Sequence, residues 1–483
     1  MSIAIQRENT EFLYQQVIAI IREMQSSGTL RPGDRLPSLR ALSRKLSVSI
    51  PTVRQAYVEL ERLDVIEARP KSGYFLRVEP SAAQPKRARL ARKPMPVKRQ
   101  NLIEDVFESV FGALNQPGKV PLGVANPTAA FPSDKALARI MRQVLAKSGA
   151  NSLNYCPMDG FPPLKRQLAL RYLDQGLQVS PDEVLITNGA QEALAIALQC
   201  VADRGDVIAV ESPVYFGVLE LIESLGMMAL EIPLCPDDGL WLDDLCTALD
   251  AHPVKACVFS TSISNPLGSF MPDERRAQLV ALLESRDIPL VEDDVYGDLY
   301  FTEARGTPAQ VYSRKGLVIT CASFSKTAAP GYRVGWLVSN KYLDHARRLK
   351  RAMSCSSSLL NQWTLSEFVA SGDYDRAMQN LRRVLRANKD RAVALVKQHF
   401  PSETRVTDPL GGGVLWLELP PGKDSGRLFQ LALEHDIAIT PGILFSVSNR
   451  YKRCVRVSYG LPWSDEVDAA FATLGRLCAL PEV

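Results

Sequence analysis

One segment of the chain has almost no capacity to pack into a core. Residues 80–100 contain four prolines and seven Lys or Arg side chains, and they contain no Asp or Glu. A segment of this composition repels itself and stays extended, so we expect a linker here. The linker either acts as a solvated spacer or contacts DNA phosphates. In both cases the chain must fold in parts, with a small domain at residues 1–79 and a large domain at residues 101–483.

The charge is distributed unevenly over these parts. The first hundred residues carry a net charge of +10 and the remaining residues carry −6. A basic front joined to an acidic body suggests a polyanion-binding segment attached to a body with another task. No apolar run approaches the roughly 18 residues that span a bilayer, and the first residues lack the apolar core of a signal peptide. We therefore expect a cytoplasmic protein with no membrane partner.

The cysteine and histidine patterns give no sign of a metal site. The nine cysteines include no Cys-x-x-Cys pair, and the four histidines include no pair at i, i+4 spacing. Buried thiols are the simplest interpretation of the cysteines. We predict neither a disulfide framework nor a bound metal.

The small domain has the pattern of a helix-turn-helix. Apolar residues recur at helical spacing over residues 12–24, and Ser38 offers an N-cap for a short helix through Lys45. A polar turn at residues 47–49 precedes another helix over Thr52–Leu63. The start of that helix is where a recognition helix contacts base edges in the major groove. The side chains near this start are Ser49, Thr52, Arg54 and Gln55.

Two strand-like runs follow the helices, at residues 65–69 and 73–76, around a basic tip that can lie along DNA phosphates. Together with Pro-Gly-Asp-x-Leu-Pro-Ser-x-Arg at residues 32–40, this arrangement resembles the winged helix-turn-helix of the GntR transcription-factor family. The resemblance implies binding to a double-stranded DNA operator. Alternatively, the two arginines form only salt bridges within the helix pair. The implied DNA contacts are Arg40, Ser49, Thr52 and Arg54, with Lys71, Ser72 and Gly73 in the wing.

The large domain alternates short apolar runs with helical periodicity, which predicts a mostly parallel α/β sheet. Two of the helical stretches are Gln191–Ala202 and Arg275–Ser285. The strand-like runs are Val184–Ile186, Val207–Val210, Ala256–Phe259, Pro289–Val291 and Leu317–Ile319.

A lysine stands just after one of these predicted strands, in Ser323-Phe324-Ser325-Lys326-Thr327, with Arg333 seven residues on. A partly desolvated strand end lowers the pKa of a lysine and makes its free amine available as a Schiff-base nucleophile. Hydroxyls and an arginine nearby suit a phosphate monoester. Taken alone, the lysine could equally be a paired structural charge.

Other predicted strand ends carry side chains that suit the same kind of ligand, a phosphate ester with an aromatic ring. Asp293 closes a strand three residues before Tyr296, so a carboxylate could keep a pyridine nitrogen protonated while a phenol bonds to the ring's phenolate oxygen. Asn265 follows another strand and offers an amide to the same oxygen, and Tyr215 offers an aromatic face for stacking. The turn at residues 187–191 runs from strand to helix and presents free N–H groups to a phosphate.

This order of motifs resembles the fold-type I aminotransferases that bind pyridoxal 5′-phosphate. The resemblance implies an internal aldimine at Lys326, and a dimer in which Tyr155 reaches the phosphate of the neighbouring subunit. It also implies that Arg456 grips an α-carboxylate and that Asn126 lines the substrate side. The implied cofactor-binding residues are Tyr155, Gly189, Ala190, Gln191, Tyr215, Asn265, Asp293, Tyr296, Ser323, Ser325, Lys326 and Arg333.

The combination of a GntR-like reader, a basic linker and an aminotransferase-like body resembles the MocR family of transcriptional regulators. In that family the large domain senses an effector through pyridoxal phosphate. We therefore expect a dimeric regulator that senses either the cofactor itself or an amine or amino acid. The main alternative is a working aminotransferase that carries a DNA-binding domain. A third possibility, a large domain that serves only for dimerisation, predicts the loss of Lys326 and Asp293, and both are present.

Overall fold

The computed structural model describes residues 12–26, 30, 34–62, 65–69, 73–76, 96, 104–114, 116, 118–235, 239–448 and 450–483. The chain divides into two compact units, residues 1–91 and 92–483. Apart from Pro96, the predicted linker lies outside the described residues, as do Lys71 and Ser72 of the predicted wing.

The described residues of the first unit form three helices and a hairpin, as predicted. Its elements are α1 (Leu13–Ser26), α2 (Leu39–Leu46), α3 (Ile50–Arg62), β1 (Ile66–Arg69) and β2 (Gly73–Leu76).

Local side-chain bonds set the ends of α2 and α3. The Ser38 hydroxyl accepts a hydrogen bond from the N–H of Ala41 and caps α2, which ends at Ser47 in the left-handed conformation. The Ser49 hydroxyl accepts a bond from the N–H of Thr52, so α3 begins at Ile50 rather than at the predicted Thr52. Pro51 fits this first turn because its missing N–H would have no partner inside the helix.

The core of the first unit lies between α3 and its neighbours. Val53, Ala56, Tyr57 and Leu60 lie on one face of α3 and are fully buried. The Tyr57 hydroxyl donates to the carbonyl of Pro37 at 2.7 Å, which fixes the segment before α2 against α3. The opposite face of α3 is thereby left for solvent or a ligand.

The second unit contains two sheets and the remaining helices. Its helices are α4 (Glu104–Leu114), α5 (Asp134–Ser148), α6 (Pro162–Asp174), α7 (Ala190–Val201), α8 (Phe216–Ser224), α9 (Leu242–Ala251), α10 (Asp273–Ser285), α11 (Leu343–Met353), α12 (Leu359–Ala370), α13 (Asp373–His399), α14 (Ser425–Glu434) and α15 (Asp465–Ala479). Its strands are β3 (Val184–Thr187), β4 (Val207–Ser212), β5 (Met228–Cys235), β6 (Gly239–Leu240), β7 (Val254–Phe259), β8 (Leu290–Asp293), β9 (Val318–Ser323), β10 (Gly335–Val338), β11 (Arg405–Val406), β12 (Val414–Glu418), β13 (Thr440–Pro441) and β14 (Cys454–Ser458).

The large sheet has the strand order β3-β10-β9-β8-β7-β4-β5-β6. The pairs from β9 to β5 are parallel, whereas β10 is antiparallel to both of its neighbours and β6 is antiparallel to β5. Buried apolar residues pack on both of its faces. The prediction of a mostly parallel α/β sheet is confirmed, and the strands extend one or more residues beyond the predicted runs.

A smaller antiparallel sheet, of order β11-β12-β14-β13, lies nearer the C-terminus. Residues 120–123 lie beside it. The N–H of Ser458, at the end of β14, donates to the carbonyl of Leu122, and the N–H groups of Val120 and Gly123 donate to the carbonyls of Asp436 and Ala438, just before β13. The chain continues from this segment towards the ends of the large-sheet strands. No helix in the described residues combines the length and the apolar character that crossing a membrane requires.

Candidate cofactor and effector site

A cavity of about 290 Å³ lies where several strands of the large sheet end. In an α/β sheet, ligands bind beyond the carboxyl ends of the parallel strands, where loops and helix N-termini meet. The cavity is lined by Phe111, Gly123, Val124, Ala125, Ala190, Gln191, Leu194, Tyr215, Phe216, Ser260, Asn265, Asp293, Val295, Tyr296, Ser323, Ser325, Lys326, Arg333 and Arg456.

The side chain of Lys326 lies inside this cavity. Burial, together with the nearby positive charge of Arg456, lowers the pKa of its ammonium to about 8. The charge of Asp293 acts in the opposite direction. The Lys326 amine donates to the backbone carbonyl of Ala125 at 2.6 Å. The unprotonated fraction of this amine near neutral pH is therefore far larger than in an exposed lysine, and the free amine can act as a nucleophile.

The two neighbouring aspartates have different surroundings. Asp293 lines the cavity, and burial raises the pKa of its carboxyl to about 6. Asp294 forms a buried ion pair with Arg305 and accepts a hydrogen bond from the hydroxyl of Ser262 at 2.9 Å. Asp294 is thus engaged inside the protein, whereas Asp293 is directed at the ligand space.

Gly189 and Arg333 lie together at one end of the cavity, where α7 begins without a side-chain cap. The first N–H groups of this helix and its positive dipole end form a natural anion site. The Arg333 guanidinium lies 3.5 Å from the Ser325 hydroxyl, and that hydroxyl accepts a bond from Ser323 at 2.7 Å. These groups suit a phosphate.

The middle of the cavity contains the aromatic and amide groups. The hydroxyl of Tyr296 is buried and has no hydrogen-bond partner among the described residues, and burial raises its pKa. The Tyr215 ring also lines the cavity. An unpartnered buried hydroxyl is costly, and a ligand oxygen would satisfy it. This part of the cavity therefore fits a flat ring with a polar substituent.

Arg456 is the most deeply buried cation of the site, at 2% exposure. Its guanidinium donates to the Gly123 carbonyl at 2.7 Å and to the Asn265 side-chain oxygen at 3.2 Å. Its Nε has no hydrogen-bond partner in the part of the chain that the structure describes. Burial lowers its pKa. Within the described residues no carboxylate pairs with it, so a ligand carboxylate would find an uncompensated charge and a free donor.

The carbonyls of Gly123 and Ala125 were not among the predicted site groups. Both functional cations donate to them, Arg456 to Gly123 and Lys326 to Ala125. Backbone carbonyls carry no sequence signature, so only the tertiary structure could show this contact. Phe111, Phe216 and Ser260 are further lining residues that no motif indicated.

Three predicted cofactor-binding or effector-binding residues lie outside the cavity lining. Tyr155 is 89% exposed, and Asn126 accepts a hydrogen bond from the hydroxyl of Thr128 at 2.7 Å. Gly189 also does not line the cavity, although it directly precedes Ala190, which does.

The predicted DNA-contacting residues of α2 and α3 lie at the surface. Arg40, Ser49 and Arg54 are exposed, and Thr52 is partly exposed. The hydroxyls of Ser49 and Thr52 lie 2.7 Å apart and bond to each other, so their free hydrogen-bonding capacity is reduced. Among the described residues neither Arg40 nor Arg54 forms an ion pair. Gly73 opens β2 and is exposed.

The structure also bears on metal binding. Among the residues it describes, no group of three or more His, Cys, Asp or Glu side chains is arranged to hold a metal ion.

Two family models match separate parts of the chain. The model described as bacterial regulatory proteins, gntR family, matches residues 13–76, and the model described as aminotransferase class I and II matches residues 117–473. The fold and the site thus define a class: a GntR-type DNA-binding domain fused to an aminotransferase class I and II domain, a fold associated with pyridoxal phosphate.

Relatives that match almost the whole chain define the family more closely. The chain is 37% identical to the HTH-type transcriptional regulator YdcR of Escherichia coli, covering 96% of this chain and 98% of the relative. It is 27% identical to the HTH-type transcriptional regulator TauR of Rhodobacter capsulatus, over 92% of each chain. The chain belongs to the MocR type of HTH-type transcriptional regulators and is a DNA-binding regulator with an aminotransferase-like domain.

Some similar proteins are enzymes that match a smaller share of this chain. The 2-aminoadipate transaminase of Thermus thermophilus is 31% identical over 72% of this chain and 86% of its own. The crystal structure of LysN, an alpha-aminoadipate aminotransferase from Thermus thermophilus complexed with N-(5′-phosphopyridoxyl)-L-leucine, superposes with a TM-score of 0.71. That structure is 28% identical and covers 78% of this chain and 98% of its own.

Proposed function

We propose that this regulator binds pyridoxal 5′-phosphate at Lys326 and senses either the cofactor itself or an amine or amino acid that reaches the same cavity. When bound, pyridoxal phosphate supplies an aldehyde that condenses with primary amines. The observation that carries the proposal is the cavity itself. It holds a lysine amine with a lowered pKa, a directed carboxylate and an arginine without a carboxylate partner.

Different residues around the cavity would bind different parts of the cofactor. Asp293 would pair with the ring nitrogen, Tyr296 and Asn265 would bond to the ring's oxygen, and Tyr215 would stack on the ring. The phosphate would lie at the N-terminus of α7. The residues that would hold it are Gly189, Ala190, Gln191, Ser323, Ser325 and Arg333, with Tyr155 from the neighbouring subunit of a homodimer.

Arg456 would bind the carboxylate of an amino acid effector, with Asn126 nearby on the same side. A carboxylate at Arg456 competes with the carbonyl of Gly123, and any change at the Lys326 amine affects its bond to Ala125. Ligand binding would therefore alter two of the bonds that hold residues 123–125, which follow directly on the segment joined to the small sheet. A ligand shifts a conformational equilibrium only through such differential contacts.

The small domain would bind the operator. We propose that Arg40 and Arg54 contact bases or phosphates, with Ser49 and Thr52 at the start of α3. Lys71, Ser72 and Gly73 would contact DNA from the wing. We also propose domain bounds of 1–79, 80–100 and 101–483, and a cytoplasmic homodimer as the working form.

A working aminotransferase remains the second candidate, because the lysine, the aspartate, the tyrosine and both arginines of the site are all present. The two candidates differ in what an amine does. A regulator changes its DNA affinity when the amine binds, whereas an enzyme turns the amino acid over many times with a keto acid and its DNA affinity does not respond.

The deciding experiment measures operator affinity with and without candidate amines, on wild type, Lys326→Ala and a control. We expect the right ligand to change the affinity through a coupling of roughly 1–3 kcal/mol. Lys326→Ala should abolish the response while leaving DNA binding intact. Lys165→Ala, which removes a buried lysine outside the cavity lining, should keep the response.

Arg54→Ala tests the DNA-binding domain, whereas Lys326→Ala tests the cavity. If Arg54 reads a guanine, this variant should lose roughly 1–3 kcal/mol of operator discrimination and should still take up pyridoxal phosphate. Multiple turnovers with a keto acid, combined with a DNA affinity that no cofactor or amine alters, would establish the enzyme instead.

A further inference from the structure

The outward face of α3 carries two exposed apolar side chains, and neither has a role in the proposed operator contacts. Ile50 is 43% exposed and Val58 is 52% exposed. Together with the exposed Arg54 they stand four residues apart, so the three side chains follow one another along one side of the helix. The other side of α3 is packed in the core of the small domain, which keeps this face outward.

The core of the small domain does not use Ile50. The apolar residue that packs against this core from the start of α3 is Val48, which precedes the capping residue Ser49. Ile50 follows the cap and stays exposed. A single exposed apolar side chain is ordinary on a protein surface. The position of Ile50 therefore decides what it can contact, and that position is the first residue of the predicted recognition helix.

The first turn of α3 offers few hydrogen-bonding groups to a base edge. Pro51 has no N–H, and its ring is exposed. The hydroxyls of Ser49 and Thr52 bond to each other at 2.7 Å, and the Ser49 hydroxyl also accepts the N–H of Thr52 at 3.2 Å. With Ile50 between them, this turn presents mainly carbon atoms. The base that presents a carbon group in the major groove is thymine, through its C5-methyl.

The charges along α3 favour DNA at this end of the helix. Arg54, one turn beyond Ile50, and Arg40 of α2 are both exposed. The carboxylates of α3, Glu59 and Glu61, lie in its last turn, and Glu61 accepts a hydrogen bond from the N–H of Ala68 at 3.2 Å. An apolar side chain among cations suits a polyanion that also offers apolar groups, as the major groove does.

We propose that Ile50 contacts the C5-methyl group of a thymine in the major groove, so that the protein prefers thymine at one position of each half-site. The contact rests on the proposed function, in which the start of α3 reads the operator. Val58 lies two turns further on, about 12 Å along the helix axis and away from the base edges that the start of the helix reaches. It is therefore a matched apolar residue without this role.

Deoxyuridine tests the contact, because it differs from thymidine only by the missing C5-methyl. The probe is duplex DNA that the full-length protein recovers from a random pool, with each thymine of one half-site replaced in turn. At the thymine that Ile50 contacts, the affinity should fall roughly fourfold, which corresponds to about 0.8 kcal/mol for one buried carbon group. 5-Bromodeoxyuridine should restore the affinity, because its bromine fills the space of the methyl group.

Two variants assign the effect to Ile50. Ile50→Ala should bind the thymine duplex more weakly and should no longer distinguish thymine from uracil at that position, because the methyl group has lost its partner. Val58→Ala should keep the fourfold difference. A change in DNA stiffness caused by uracil would persist in Ile50→Ala, so the comparison separates stiffness from contact. Alanine is a good helix former, and Ile50 is exposed, so this variant should fold.

Several results would overturn the contact. They are a wild type that distinguishes no thymine from uracil, a discrimination that persists in Ile50→Ala, and an equal loss in Val58→Ala. If Ile50→Ala binds DNA like the wild type but self-associates less in analytical ultracentrifugation, the outward face of α3 binds a second copy of the chain instead.

Failure of the proposed operator contacts has a different signature. A wild type that recovers no specific DNA, or an Arg54→Ala variant that binds the recovered DNA like the wild type, would show that α3 is not the reader, and the role of Ile50 would fall with it. Binding that depends on Arg54 but ignores the methyl group would refute the role of Ile50 alone.

Discussion

At the scale of single residues, the reactivity of the site depends on how several cations share one cavity. Lys326 is buried beside Arg456 and within the field of Arg333, and both arginines lower its pKa. Since the lowered pKa is about 8, the free amine is available above about pH 8 instead of only above the usual 10.5.

The prediction that belongs to this scale concerns Arg456→Ala. The rate at which cofactor-free protein takes up pyridoxal phosphate should rise with pH and level off above about pH 8, where Lys326 is deprotonated. In Arg456→Ala a positive neighbour is lost, so the ammonium form is favoured and the midpoint should move upward by roughly one unit. Stopped-flow absorbance between pH 6 and pH 10 measures it.

Arg456→Lys is the control, because it keeps the positive charge and should keep the midpoint near that of the wild type. An Arg456→Ala midpoint that coincides with the wild-type value would show that the charge of Arg456 does not lower the pKa of Lys326.

Individual residues also show what the sequence could and could not predict. Lys326, Asp293 and Tyr296 follow strands at fixed spacing, and a strand end is a local feature that the amino-acid pattern reveals. The pairing of Asp294 with Arg305 and the burial of Glu211 depend on residues from other elements. Such contacts have no local pattern, so they could not be predicted from the sequence.

At the scale of elements, the turn between β3 and α7 leaves no space for a side chain at Gly189. Gly189 has φ +84°, and a Cβ added there would lie 2.5 Å from the guanidinium of Arg333. The close approach of backbone and arginine at the start of α7 therefore requires glycine, both for the conformation and for the space.

Gly189→Ala should displace Arg333 and weaken binding of the phosphate. We expect the affinity for pyridoxal phosphate to fall roughly tenfold or more, because a charge-assisted hydrogen bond contributes about 1.5–3 kcal/mol. The affinity for pyridoxal, which lacks the phosphate, should change much less. Gly331→Ala is the matched control, since a Cβ there meets no atom within 4 Å. Equal losses for both ligands would mean that the turn does not contact the phosphate. Equilibrium dialysis gives the affinities.

Element boundaries were predictable within one or two residues where a cap is local. Ser38 fixes the start of α2 as expected, whereas α3 begins two residues early because Ser49 serves as its cap. The role of residues 120–125 could not be foreseen. They pair with the small sheet and offer carbonyls to two distant cations, and both properties come from tertiary packing.

At the scale of the whole molecule, the proposed homodimer would link DNA binding to cofactor binding. A dimeric reader binds paired half-sites, and the neighbouring subunit would complete the phosphate site through Tyr155. Tyr155 is 89% exposed and Leu153 is 81% exposed, two residues apart in the chain. Large apolar side chains with this exposure are typical of an interaction surface.

Leu153→Asp should therefore disrupt the dimer, because it places a charge in the expected interface. Analytical ultracentrifugation should show a shift towards monomer, and the affinity for pyridoxal phosphate should fall with it. Binding to DNA with two half-sites should weaken at least tenfold, whereas binding to a single half-site should not change, since each reader domain still folds. Leu410→Asp, at a residue that is 43% exposed, is the control and should leave assembly intact. If Leu153→Asp remains dimeric with full cofactor affinity, the partner's contribution must come from another surface.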